Sequence, residues 1–272
     1  MRLNIKHVTR YSYDHPLAHM VQQLRLTPPA SAGQKILSWR IDVPGYETSA
    51  HYKDAFGNKV DVVSHRDPVS ELSVTVEGVV ETEDRAGIVG ATPGPPDAVF
   101  LRFTPLTKAN PAIRRLGALA ERADDEAVSG FHDLMQAIRE KVAYRTGVTE
   151  VHTSAVDAIN TGEGVCQDHA HIFIAAARSI GIPARYVSGY MLLEDAQDSE
   201  AHHAWAEVLL PTLGWVGFDV SNGVCPTDRY IRLTSGLDSR SAAPIRGIRI
   251  GGSGENMDVE VAVSRESQQS QQ

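Results

Sequence analysis

Cysteine is scarce in this chain: Cys166 and Cys225 are the only two among 272 residues. A disulfide framework of the kind that staples small secreted domains is therefore excluded, and each thiol has to be judged by its surroundings. Positive charge is also in the minority. There are 26 Lys and Arg against 34 Asp and Glu, a formal net charge of −8, which argues against non-specific nucleic-acid binding. No apolar run approaches the ~20 residues that span a bilayer. The opening residues, MRLNIKHVTRYSYDHP, contain no apolar signal-like core and no small-residue cleavage site, so the expected setting is reducing and cytoplasmic. Internal repeats are absent. What remains is 42% hydrophobic and 22% charged, an ordinary globular composition with room for one large domain or two ordinary ones.

The first 84 residues read as β-structure. Leu3, Ile5, His7, Thr9, Tyr11 and Tyr13 alternate with more polar neighbours, the period of a half-buried strand. Further strand-like runs lie at 21–27, 36–43, 48–53, 59–64 and 72–79, separated by Pro28-Pro29, Pro44-Gly45, Gly57-Asn58 and Asp67-Pro68. Short strands at this spacing predict a sandwich-like domain over 1–84. The segment 84–97, DRAGIVGATPGPPD, marks a boundary by its Gly and Pro content. Beyond it the period becomes helical: 110–122, opened by an Asn-Pro cap, then 125–142, a short helix after Ser154, and 165–180, stopped by Gly181. Strands are predicted at 184–191, 203–210, 214–219, 230–233, 245–250 and 258–264. A second unit thus covers 98–264, and the tail 265–272, which ends in SQQSQQ, is expected to be disordered.

Cys166 stands at the start of the 165–180 helix, where unpaired N–H groups and the helix dipole favour an anion, so the thiolate gains over the thiol. Gly164 before it is expected to let the chain turn sharply. Read by itself, Cys166 could equally be a small core residue on the stripe that continues through Ala170, Phe173 and Ala177. The hairpin predicted from 203–210 and 214–219 changes the balance. Its turn sets Asp219 opposite a position near 204, within reach of a histidine. A carboxylate on one imidazole nitrogen fixes the tautomer of the other, which can then accept a thiol proton. Alternation alone does not choose between His202 and His203, which face opposite sides.

Several ordered stretches together resemble the bacterial transglutaminase-like superfamily: Gly164-Val165-Cys166-Gln167-Asp168, Arg178 through Tyr190, His203-Ala204-Trp205-Ala206-Glu207-Val208, and Gly214-Trp215-Val216-Gly217-Phe218-Asp219. Tyr11, Leu24-Arg25-Leu26, Pro28 and Phe56-Gly57-Asn58 are similar to the β-rich region that precedes this core in bacterial members. The resemblance implies an α+β, papain-like core, with the nucleophile's helix packed on an antiparallel sheet. It also implies a Cys-His-Asp triad of Cys166, His203 and Asp219. Asp219-Val220-Ser221-Asn222 stands where the family often has Asp-Pro-Thr-Asn, which predicts a less rigid turn. Gln167, Asp168, Trp205 and Trp215 are further candidates for the cleft or its support, although Asp168 and His171 also fit the solvent side of a helix.

The implied activity is thiol-dependent hydrolysis of a peptide, isopeptide or other amide through a thioester, with a peptide or protein amide as substrate. Transamidation, with an amine in place of water, uses the same residues, and a non-catalytic binding module could use the same cleft. Zinc is a poor fit: Cys166, His169, His171, His202 and His203 include only one pair within a helical turn, and no CxxC occurs. No acidic loop has calcium-ligand spacing, and no cofactor is expected.

Overall fold

The computed structural model describes residues 1–122, 126–193 and 202–266; of the tail expected to be disordered, Arg265 instead closes a strand and the Glu266 N–H donates to the Arg2 carbonyl at 3.0 Å, and the rest lies outside the described residues from 267 onward. In chain order the strands are β1 (Arg2–Leu24), β2 (Gln34–Asp42), β3 (Ala50–Lys53), β4 (Lys59–His65), β5 (Val69–Thr82) and β6 (Ile88–Gly90). The helices α1 (Pro111–Gly117) and α2 (Ala127–Lys141) precede β7 (Ala143–Tyr144), α3 (Ala155–Thr161), β8 (Glu163–Gly164) and α4 (Cys166–Ser179). The chain closes with β9 (Ala184–Met191), β10 (His202–Leu210), β11 (Gly214–Phe218), β12 (Tyr230–Gly236), β13 (Ile245–Gly251) and β14 (Asn256–Arg265).

Two antiparallel sheets result. The first has the order β2-β5-β1-β4-β3, with β13 and β14 also paired to β1; the second runs β12-β9-β10-β11-β6. The predicted separate strands at the N-terminus merge into one strand of 23 residues. β1 changes partners partway: its pairing with β5 shifts register between Ser12 and Leu17, and β13 ends opposite Leu17 while β14 begins opposite Ser12. The last two strands, expected with the unit 98–264, sit instead in the first sheet. Their residues Val259, Val261 and Val263 face Thr9, His7 and Ile5 of β1. Nor is the Gly- and Pro-rich segment only a connection, since Ile88 and Gly90 pair with Val216 and Trp215 at the edge of the second sheet.

The helices pack on the second sheet around Phe131, Phe173 and Phe218, whose ring centroids lie 5.3 to 5.6 Å apart. α1 is shorter than predicted, tightening into a 3-10 turn at Ala118–Ala120. Gly117 at its end touches α4 so closely that an added Cβ would lie 2.6 Å from the Ala176 carbonyl oxygen. Leu3, Ile5, Val74 and Val76 of the first sheet share a second cluster with Tyr190, Leu192, Ile231 and Leu233. The two sheets are therefore layers of one buried interior.

Amide side chains complete this junction. The Gln34 Nε2 donates to the Arg232 carbonyl at 2.9 Å while its Oε1 accepts from the Arg232 N–H at 2.7 Å. Asn58 does the same to Ser235, at 2.8 and 2.9 Å. Each mimics a strand neighbour on β12, an edge strand, and so covers backbone groups that would otherwise be open. Removing a buried partner leaves those groups unsatisfied, at ~1–3 kcal/mol. Asn58→Ala is therefore expected to lower the urea midpoint with an unchanged slope; an unchanged midpoint would show that the contact adds nothing.

Candidate active site

α4 starts at Cys166 because Val165 is extended and Asp168 reaches back to it: the Val165 N–H donates to Asp168 Oδ2 at 2.9 Å. The same oxygen accepts from the Thr149 hydroxyl at 2.6 Å. An acidic side chain at the third helical position thus caps the preceding residue, half of a capping box. Asp168 is fully buried, as is His171, which corrects the solvent-side alternative for both. Gly164 is needed for room rather than for a sharp turn. Its φ is not left-handed, and an added Cβ would lie 2.8 Å from the Cβ of Asp168. Gln167 lines the cleft beside Cys166 and donates to the Glu150 carbonyl at 3.4 Å.

On the sheet, Ala206 pairs with Phe218 and Leu210 with Gly214. Phe218 and Val216 point into the helix-side core, so Asp219 turns to the other face, one diagonal step from His203. His203 Nε2 and Asp219 Oδ2 are 2.7 Å apart. The structure separates the adjacent histidines: His202 Nε2 instead meets the Ser188 hydroxyl at 3.0 Å. With its Nε2 engaged, the His203 ring still lies close enough to the Cys166 thiol for the two to interact. Cys166 and His203 line one cleft of about 1220 Å³.

The electrostatics follow from this closeness. Burial works to lower the His203 pKa, but hydrogen bonds to Asp219 and Cys166, and the charges there, outweigh it and lift the imidazole to about 10. Burial would raise Asp219; its bonds to His203, Asn222 and Tyr230 hold the carboxylate below its ordinary value. Cys225 is not among the described residues that line the cleft. Burial pushes its thiol up to about 11, and its sulfur lies 3.7 Å from His132 Nε2.

Three supports were not foreseen. The Tyr230 hydroxyl donates to Asp219 Oδ2 at 2.7 Å, and Asn222 Nδ2 donates to the same oxygen at 2.6 Å. The turn after β11 is firmly held despite lacking proline: the Asp219 N–H donates to the Val224 carbonyl and the Gly223 N–H to the Asp219 carbonyl, each at 2.8 Å. His169 ties this turn to α4, with Nδ1 2.9 Å from the Ser221 hydroxyl and Nε2 2.9 Å from the Val142 carbonyl oxygen. Asn222 lay in the motif already noted, whereas Tyr230 comes from a strand with no local mark.

The two tryptophans do not line the cleft. Trp205 is buried behind His203, its ring 6.5 Å from the imidazole and 5.5 Å from Tyr230. Trp215 lies under the Arg185 guanidinium at 3.9 Å. Arg185, which matched the family pattern without a role, donates to Glu207 at 2.6 Å, and Arg232 donates to the other oxygen of that carboxylate at 3.0 Å. All three side chains are buried or nearly so. Among the described residues no helix is long and apolar enough to cross a membrane.

Comparison with known proteins agrees with this architecture. Residues 117–220 match the model of the transglutaminase-like superfamily, and residues 3–81 match that of the bacterial transglutaminase-like N-terminal region. An uncharacterized protein of Mycobacterium leprae is 33% identical over 97% of this chain and 99% of its own. One from Mycobacterium tuberculosis is 28% identical over 96% of this chain and 91% of its own. A Cytophaga hutchinsonii protein of known structure, named as a candidate cysteine protease, superposes with a TM-score of 0.73 at 23% identity, covering 98% of this chain and 92% of that one; it shows the fold. With the core motifs on α4, β10 and β11 and the β-rich region before them, the chain belongs to the transglutaminase-like superfamily, in the form that carries the bacterial N-terminal region.

Proposed function

We propose that the protein is a thiol-dependent amide hydrolase in which Cys166 is the nucleophile. One observation carries this reading: His203 is bonded to Asp219 through Nε2 at 2.7 Å, which leaves its other nitrogen for a thiol at the first turn of a helix. His203 takes the Cys166 proton, and the sulfur adds to the amide carbonyl carbon as the C=O bond opens. The N–H groups of Cys166 and Gln167, at the helix start and without intrahelical partners, are placed to receive the oxyanion. When the tetrahedral adduct collapses, the C–N bond breaks and His203 gives its proton to the leaving nitrogen. A thioester remains. His203 then takes a proton from water, the hydroxide adds, the C–S bond breaks and the thiol regains its proton. Asp219 orients the imidazole and stabilises its charged form throughout.

Hydrolysis rather than transamidation is supported by the cleft lining. Among the described residues there, no Asp or Glu is present to hold a cationic amine. The name of the Cytophaga hutchinsonii neighbour points the same way.

Iodoacetamide alkylation, followed at each cysteine by mass spectrometry, tests the central step. Cys166 is expected to react at neutral pH well ahead of Cys225, whose thiol burial raises to about 11. His203→Ala should remove that advantage. Equal, slow labelling of both thiols in both proteins would end the proposal.

A further inference from the structure

Opposite Cys166 the cleft is bounded by the first sheet. Across β1 and β14, Tyr11 faces Met257 and Thr9 faces Val259, so these four side chains share one face of the sheet. The same face continues through Ile5 and Val263 into the cluster that packs on Tyr190 and Leu192. Beyond that cluster it runs past its partner. Met257 is 57% exposed and Val259 42% exposed, and both line the cleft. Val151, 68% exposed, is another of its apolar lining residues. Uncovered apolar surface lining the same cleft as a candidate nucleophile marks a place where something binds.

The charge of the cleft narrows what binds there. In a protein of net charge −8, the described lining residues include no carboxylate, and Arg240 is their one Lys or Arg. Arg240 is exposed and has no ion-pair or hydrogen-bond partner among the described residues. Its fork of donors suits a carboxylate. The volume of about 1220 Å³ exceeds the ~300–1000 Å³ usual for small-molecule sites, which favours a peptide segment over a small amide.

We propose that the first sheet forms a substrate subsite, and that the acyl donor is a peptide segment with an apolar side chain and a carboxylate. The apolar side chain seats on Tyr11, Met257 and Val259, and the carboxylate pairs with Arg240. This deepens the amide-hydrolase reading and rests on it. It also gives the return of β14 to the N-terminal sheet a function, because that return brings Met257 and Val259 to the cleft.

Peptide electrophiles test the proposal without a known substrate. The probes are N-acetyl-dipeptide chloromethyl ketones bearing Glu-Leu, Glu-Ser or Lys-Leu. The readout is the rate of Cys166 labelling by mass spectrometry, each rate divided by the same variant's iodoacetamide rate to remove general effects on the thiol. The wild type should label about tenfold faster with Glu-Leu than with either other probe. Met257→Asp should abolish the Leu-over-Ser preference, and Arg240→Glu should invert the Glu-over-Lys preference. Met257→Ser replaces Met257→Asp if the latter does not fold. Flat wild-type ratios, or ratios that survive both substitutions, would overturn the subsite while His203-dependent iodoacetamide labelling still upheld the hydrolase. Loss of that His203 dependence would instead defeat the hydrolase reading itself.

Discussion

Asp219→Ala is expected to lower turnover of a cleaved amide by about 10⁴-fold and to bring down the alkaline limit of kcat/KM, which needs protonated His203 to deliver a proton to the leaving nitrogen. In the wild type that limit should fall near pH 10, where His203 gives up the proton that Asp219 helps to hold. Without the carboxylate, burial acts on the imidazole with less opposition, and the limit should move toward or below the ordinary histidine value of 6.5. The decisive measurement is the pH profile of kcat/KM for both proteins. A profile whose alkaline limb stays in place after Asp219→Ala would show that Asp219 does not set the state of His203. Tyr230→Phe should move the limb in the opposite sense. It removes a donor to Asp219 Oδ2, leaving more of that oxygen's charge for the imidazolium.

The same pair predicts how stability varies with pH. The folded His203 pKa is raised above its ordinary 6.5, so its contribution is present in full below that value and fades as pH rises through about 10. Asp219 is shifted down from 3.8, so its contribution is present above that value and is lost as pH falls through the depressed one. The pair contributes fully only between about 3.8 and 6.5. Thermal unfolding of the wild type and Asp219→Ala across this range should show the largest difference there.

The second large effect is expected at Glu207. This carboxylate is fully buried, and its two oxygens receive Arg185 at 2.6 Å and Arg232 at 3.0 Å. Burial would raise its pKa, but the two guanidinium groups overcome that and lower it. Glu207→Gln leaves Arg185 buried and uncompensated beneath the sheet, a change that costs about 3–5 kcal/mol when one partner of a buried pair is removed. Calorimetry should show a fall in Tm on the order of 10 °C. Adding Arg185→Met should recover part of the loss, because the cost lies in the stranded charge more than in the missing bond. A fall no larger than that of a surface substitution, about 0.5 kcal/mol, would show that the pair is not a stabilising unit. For a depressed carboxylate the stabilisation is present above 4.5 and is withdrawn as pH falls, so wild type and variant should converge in acid.

The pairing of His203 with Asp219, and the helix that starts at Cys166, were legible because each is set by a short stretch of chain. The helix start at 165–166 is local, and so is the hairpin register that sets Asp219 diagonal to His203. Asp168 was harder to read. α4 is buried from Asp168 through Arg178, so the usual inference from a polar position to a wet face fails. Its polar side chains are buried and matched instead: Arg178 donates to the carbonyls of Phe100, Ala184 and Leu237. The tryptophans were ambiguous for a related reason. An aromatic near a motif can line a cleft or back it, and alternation does not say which side the substrate occupies.

The sequence by itself determined the helix that begins at Cys166, the histidine strand, the carboxylate after it, and the change from β-period to helical period near residue 98. These are matters of local propensity, capping and hairpin register, and a few neighbouring residues suffice to express them. Only the tertiary structure decided that β14 returns to β1, more than two hundred residues away in the chain. The same holds for Tyr230 supporting Asp219, for Gln34 and Asn58 covering the edge of β12, and for the first sheet walling the cleft above Cys166. Those arrangements depend on which buried surfaces and unsatisfied backbone groups find each other across the fold, and nothing in a local window records that choice.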